Sequence, residues 1–161
     1  MAAQIEIHRA SPGDAPAIAA VLRESFVEFK ALYTDGGFAV TTPDAEQVLT
    51  RMQEGPVWLA LREGVALGTV AAIVKGESVY LRGMAVLPSA RGSGSGAALL
   101  RCVEDWAAAQ GCRRVFLRTT PFLNSAIRLY EGSGFRRTNE GPHELFGTPL
   151  FTMEKKLAHS R

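Results

Sequence analysis

Val86-Leu-Pro-Ser-Ala-Arg91-Gly92-Ser93-Gly94-Ser95-Gly96-Ala97-Ala98-Leu99-Leu100 joins an apolar run, Val79 to Val86, to a helix expected to begin near Ser93. The joint is almost entirely Gly and Ser. Small residues let the backbone curl until several N–H groups converge on one concavity, and the positive end of the following helix dipole adds to the same point. Side chains larger than Ser would obstruct the approach of a pyrophosphate to those donors. Arg91 adds charge at the rim. The stretch therefore reads as a strand, a phosphate-binding turn and a helix.

Rival readings fit less well. A flexible linker is disfavoured because amphipathic patterning resumes within a few residues on both sides. Gly92-x-Gly94-x-x-Ala97 satisfies the loose dinucleotide fingerprint, but that motif expects a first βαβ unit and an acidic residue about 20 positions further on. Hairpins precede the loop here, and the downstream stretch Gly111 to Val115 carries Arg113 and Arg114. No Lys-Ser or Lys-Thr follows the glycines, which removes the Walker loop.

Working outward, Val57 to Arg62, Ala66 to Val74 and Val79 to Val86 are strand-like runs separated by Glu63-Gly64 and Lys75-Gly76-Glu77, so consecutive hairpins are expected. Upstream, Gln4 to Arg9 alternates as a strand. Ser11-Pro12 opens a helix from Asp14 to roughly Ala31, with Ile18, Val21, Leu22, Ser25, Phe26 and Phe29 at helical spacing. Tyr33 to Thr42, with Gly36 and Gly37, reads as a loop, and Thr42-Pro43-Asp44 begins a second helix reaching about Gln53. Downstream, Leu99, Leu100, Val103 and Trp106 mark the buried face of a helix ending at Gly111. Arg113 to Thr119 is a strand, Asn124 to Glu131 a short helix, and Phe135 to Thr138 and Leu150 to Lys155 are final strands around a Gly141 to Pro149 loop. An antiparallel meander combined with crossover helices gives an α+β (mixed α/β) fold.

Composition limits the function. The chain has 161 residues and a formal net charge of +2, too small to imply nucleic acid or an anionic membrane as partner. Residues 1–157 are expected to form a single domain, with 158–161 as a C-terminal tail. No signal peptide or membrane span is visible. Cys102 and Cys112 lack any metal-ligand pattern, so no metal is expected and both thiols read as reduced in a cytoplasmic protein.

The pattern Val86-x-Pro88-x-x-Arg91-Gly92-x-Gly94-x-Gly96-x-x-Leu99-Leu100 resembles the acetyl-CoA-binding motif of the GCN5-related N-acetyltransferase (GNAT) family. A second stretch, Ala126-Ile-Arg-Leu-Tyr130-Glu-Gly-Ser-Gly134-Phe135, resembles the signature near the C-terminal end of those enzymes. The resemblance implies a central, mostly antiparallel twisted sheet with a splayed strand pair, flanked by about four helices. It implies acetyl-CoA as cosubstrate, with cofactor contacts from Met84, Ala85, Val86, Arg91, Gly92, Ser93, Gly94, Ser95, Gly96 and Ala97. Exposed backbone groups at Met84 and Val86 would pair with the pantetheine arm, and Gly83 suits a bulge that opens this edge. Tyr130 would be the catalytic residue, donating to the thiolate that leaves as an amine attacks the thioester.

Three departures from the family pattern stand out. Ser95 occupies a position where Ile, Val or Leu usually turns inward. Leu123 stands where Asn is frequent, and Asn124 follows one residue later, ~100° around the helix; it either contacts cofactor or caps its helix. The glutamate that several members carry on the fourth strand is absent, since Tyr80, Leu81 and Arg82 lie there. Glu28 and Tyr33 are candidates for the acceptor side, as are Glu77, His143 and Glu144.

The expected activity is acetyl transfer from acetyl-CoA to a primary amine of a small molecule or of a peptide or protein, directly in a ternary complex. Neither cysteine lies where a covalent relay would be expected. A non-catalytic acyl-CoA sensor or interaction module is the alternative, and a nicotinamide-dependent oxidoreductase a third reading. Many family members dimerise, and no sequence stripe decides for or against a homodimer here.

Overall fold

A computed structural model describes residues 4–158; apart from Ala158, the expected tail at 158–161 lies outside them. In chain order the elements are β1 (Glu6–Arg9), α1 (Ala15–Phe26), α2 (Asp35–Thr41), α3 (Ala45–Met52), β2 (Val57–Arg62), β3 (Val65–Lys75), β4 (Ser78–Val86), α4 (Ser95–Ala109), β5 (Arg114–Thr119), α5 (Asn124–Gly132), β6 (Arg136–Arg137), β7 (His143–Leu145) and β8 (Thr148–Lys156). The strands form one sheet in the order β1-β2-β3-β4-β5-β8-β6, with β7 paired to β8. Every pairing is antiparallel except β4 with β5. This is the expected α+β architecture, with five α-helices among the described residues rather than about four.

Side chains alternate across a strand, so each strand feeds two cores. On one face Trp58, Ala60, Val70, Ala72, Val79 and Leu81 pack beneath α4, whose Leu99, Leu100 and Val103 are fully buried, and beneath Tyr130 of α5. On the other face Leu59, Ala71 and Ala85 meet Ile18, Val21 and Leu22 of α1 and Val48 of α3. Each such aliphatic side chain contributes roughly 1.5–3 kcal/mol of transfer free energy.

The functional opening arises where β4 leaves β5. The two strands pair in parallel only from Ser78 to Tyr80, against Arg114 to Phe116. Beyond Tyr80, β4 changes course: its register with β3 shifts between Thr69 and Ala71, and Gly83 takes φ +59°. A bulge of this kind bends a strand and raises its twist. The remainder of β4, Leu81 to Val86, has no strand on its β5 side. This is the splayed pair.

Four sequence expectations change. The stretch read as a loop contains α2: Thr34 Oγ1 accepts from Gly37 N–H at 3.0 Å and starts the helix. Its glycines serve packing. A Cβ on Gly37 would lie 2.5 Å from Thr148 Oγ1, and one on Gly36 2.9 Å from Phe146 Cβ, so α2 sits against the β7–β8 hairpin only because both are glycine. The first α-helix ends at Phe26 and tightens into a 3₁₀ segment, Val27–Leu32. The helix after the glycine loop starts at Ser95, because Gly94 at its N-cap is left-handed with φ +90°. The Gly141 to Pro149 loop holds β7, which turns at Phe146 and Gly147, both at positive φ, to pair with β8.

Candidate active site

A cleft of about 460 Å³ runs between α1, the second half of β4, the glycine loop and α5. The glycine loop forms one wall. Gly92 and Gly94 hold φ of +81° and +90°, a region that L side chains rarely enter, and no atom lies within 4 Å of where a Cβ would be. Gly96 differs: a Cβ there would lie 2.7 Å from Leu129 Cδ2, so this glycine lets α4 approach α5. The first two glycines shape an open concavity of backbone at a helix N-terminus, and the third closes the packing behind it.

Ser93 and Ser95 turn away from the cleft. Their hydroxyls lie 2.8 Å apart, and Ser93 Oγ accepts from Ser95 N–H at 3.3 Å. Ser95 is fully buried. The hydroxyl that replaces the family's usual aliphatic side chain is therefore satisfied by its neighbour rather than left bare.

The chemistry of the lining fits a phosphorylated cofactor with an apolar arm. Arg91 lies at the loop, and Arg128 enters from α5. Met84, Ala85, Val86 and Phe29 give an apolar floor beside the unpaired edge of β4. Ser25 Oγ on α1 is buried at this cleft and has no hydrogen-bond partner among the described residues, which leaves it free for one on a bound molecule.

Tyr130 stands at the inner end. It is almost fully buried, its ring tilted against that of Phe135 at 5.9 Å between centroids, and the burial of Phe135 assigns that residue to the core. Burial, with smaller contributions from Tyr33 and Tyr80, raises its phenol well above the usual tyrosine range. A phenol so placed keeps its proton and is a hydrogen-bond donor at all ordinary pH.

A second, smaller cavity of about 150 Å³ opens on the far side of Tyr130. The two cavities share Phe26, Met84, Leu123 and Tyr130. Tyr33 lines the second one, with its phenol also raised by burial. Among the described residues no Asp, Glu or His lines it.

The expected cofactor residues thus divide. Met84, Ala85, Val86, Arg91, Gly92, Gly94, Gly96 and Ala97 line the larger cleft, whereas Ser93 and Ser95 support the loop from behind. Asn124 lines neither cavity; it is exposed in the first turn of α5 and makes no side-chain cap. Glu28 does not reach the second cavity. It lies in the 3₁₀ segment and accepts from Arg91 Nη2 at 2.6 Å. Sequence reasoning missed Ser25, Phe29 and Arg128 in the cleft, and Arg51, Arg82 and Arg118 in the second cavity. Arg128 was legible within the Tyr130 motif, two residues before the tyrosine. Among the described residues no group of three or more His, Cys, Asp or Glu side chains gathers as a metal site would require.

Comparison with known proteins bears on the family and the fold. The model of the acetyltransferase (GNAT) family matches residues 18–135. The uncharacterized N-acetyltransferase YjgM of Escherichia coli is 36% identical over 128 residues, covering 76% of this chain and 76% of that protein. The N-acetylaspartate synthetase of Danio rerio is 34% identical over 110 residues, 67% of this chain, which corresponds to 39% of that longer protein. Among solved structures, a PaiA N-acetyltransferase from Thermoplasma acidophilum in complex with coenzyme A shares the fold, with a TM-score of 0.81 at 20% identity, covering 95% of this chain and 99% of that one. The chain belongs to the GNAT family of acetyltransferases.

Proposed function

We propose that the protein transfers the acetyl group of acetyl-CoA to the primary amine of a small molecule or a peptide. The observation that carries this reading is the meeting of two cavities at Tyr130: a long cleft ending in a glycine-lined concavity, and a short cavity open to a second reactant. Bound in the cleft, acetyl-CoA supplies the activated acyl group. The backbone N–H groups of residues 91 to 97, with Arg91 and Arg128, would hold its phosphates at the helix N-terminus. Ser25 Oγ and the free edge of β4 from Met84 to Val86 are the polar groups available to the arm.

Tyr130 would donate its proton or hydrogen bond to the departing thiolate. Its raised pKa supports that role, because the donor form is retained. Transfer would be direct. Cys112 is buried, Cys102 on α4 is half-buried with its thiol pushed up by burial, and neither lines either of these two cavities, so neither is placed for a covalent relay there. The name of the N-acetylaspartate synthetase places an amino acid among the acceptors of this chain's relatives, which supports a small acceptor.

Release of free thiol from acetyl-CoA with a panel of amines tests the proposal. Amine-dependent release is expected. Tight CoA binding with no turnover of any amine would identify a sensor instead, and protection against heat by NAD(P) but not by CoA would overturn the cofactor assignment.

A further inference from the structure

The second cavity carries a charge pattern that an ordinary amine would not need. Arg51 of α3, Arg82 of β4 and Arg118 of β5 all line it, and among the described residues no carboxylate does. Among the described residues Arg51 and Arg118 have no carboxylate within ion-pair distance. Arg51 Nη2 instead donates to Val40 O at 2.5 Å. Arg118 lies over the ring of Tyr80, 5.9 Å from its centroid. Arg82 reaches Glu54 outside the cavity, with long contacts of 3.3 and 3.4 Å to a half-exposed carboxylate, and its Nε is buried with no partner.

Three guanidiniums against one carboxylate leave a surplus of two positive charges, equal to the formal net charge of the whole chain. Burial first, and then repulsion from Arg82, disfavour the charge on Arg51, with Glu54 and Tyr80 offsetting part of that cost. Each guanidinium is a planar fork matched to a carboxylate, and buried donors without partners are expensive.

Resting on the acetyl-transfer reading above, we infer that the acceptor is a small amine bearing carboxylates, an acidic amino acid in chemical class, whose carboxylates bind Arg51, Arg82 and Arg118 while its amine faces Tyr130. At about 150 Å³ this cavity is about a third the size of the 460 Å³ cleft, which suits a small acceptor. The same charges repel polyamines. They also favour the neutral amine over the ammonium, and it is the neutral form that attacks the thioester.

The test compares L-aspartate and L-glutamate with their diamides, which keep the amine but lack carboxylates, and with spermidine, by calorimetry on the CoA-saturated protein, with thiol release from acetyl-CoA read in parallel. One acid is expected to bind about tenfold tighter than its diamide, the scale of one charge-assisted bond, and spermidine to bind worst. The advantage should shrink in Arg118→Gln, whose exposed side chain makes misfolding a minor risk, and in Arg82→Gln. It should also fall with added salt. Diamides binding as tightly as the acids, acids that do not bind at all, or spermidine binding best would each overturn the inference. Acid binding without any acetyl transfer would instead remove the enzymatic reading and leave the carboxylate pocket standing.

Discussion

Arg91 Nη2 donates to Glu28 Oε1 at 2.6 Å, a contact that ties the glycine loop to the 3₁₀ segment after α1 beside the mouth of the larger cleft. Both partners are partly exposed, so the pair by itself contributes only about 0–1 kcal/mol to stability. Its weight falls on binding: Glu28 occupies the guanidinium that a pyrophosphate would use and sets a negative charge beside it. Glu28→Gln is therefore expected to tighten CoA by about twofold to fivefold at low salt, with the gain vanishing as salt is raised. Arg91→Ala should weaken CoA by roughly tenfold. Calorimetry across a salt series decides this, and weaker binding in Glu28→Gln would show that the carboxylate positions Arg91 rather than competing for it.

Tyr130→Phe removes one hydroxyl from a buried ring and leaves its packing against Phe135 in place. Loss of a general acid typically lowers turnover by about 10²-fold or more. We expect kcat to fall on that order while the Kd for CoA moves by less than about twofold, since a group acting on the departing thiolate contributes little to ground-state binding. Stopped-flow or steady-state rates beside calorimetry make the comparison. Equal losses in both would mark Tyr130 as a binding residue.

The pH profile should have one rising limb. Among the described residues no Asp, Glu or His lines the second cavity, so the amine is expected to lose its proton to solvent before it attacks. The Tyr130 pKa is raised above that of an ordinary phenol, so the proton it donates is present below about pH 10 and is lost only at still higher pH. kcat/KM is thus expected to climb with a slope near one from about pH 6 toward the acceptor's own pKa, with no alkaline fall below about pH 9.5. Replacing the acceptor by one with a less basic amine should move the limb down by the difference in their pKa values. A fixed limb would reveal a protein base.

The larger cleft was legible because its decisive signals are local. Glycines, the helix that follows them and the Tyr130 segment each report their backbone conformation within a few residues, and the structure brings them to one cleft. Two kinds of feature escaped. Gly36 and Gly37 look like loop residues, yet they lie in a helix because Phe146 and Thr148, more than a hundred positions away, press against them; tertiary contact overrode propensity. Arg51, Arg82 and Arg118 lie on three separate elements, and nothing in their spacing links them. Only the divergence of β4 from β5 gathers them around one cavity. Glu28 is a similar case: Glu28 and Arg91 were each readable, but nothing in a separation of 63 positions pairs them.

The glycine loop offers the sharpest separation of roles. Gly94→Ala must hold an L residue at φ +90°, which costs about 1–2 kcal/mol or forces the loop to rearrange, and its new methyl points into the open concavity. Gly96→Ala keeps a helical φ but drives its Cβ to 2.7 Å from Leu129 Cδ2, an overpacking cost of about 1–3 kcal/mol borne by the α4–α5 contact. The first variant is expected to lose CoA affinity by tenfold or more with a modest drop in Tm. The second should lose Tm first and affinity by less. Leu129→Ala supplies the check: combined with Gly96→Ala it should recover part of the lost stability, because the clashing methyl is gone, whereas combined with Gly94→Ala the two losses should simply add. Thermal melts and calorimetry on the three single and two double variants read both quantities. Additive losses in the Gly96 pair would mean that Leu129 does not set the spacing between the helices.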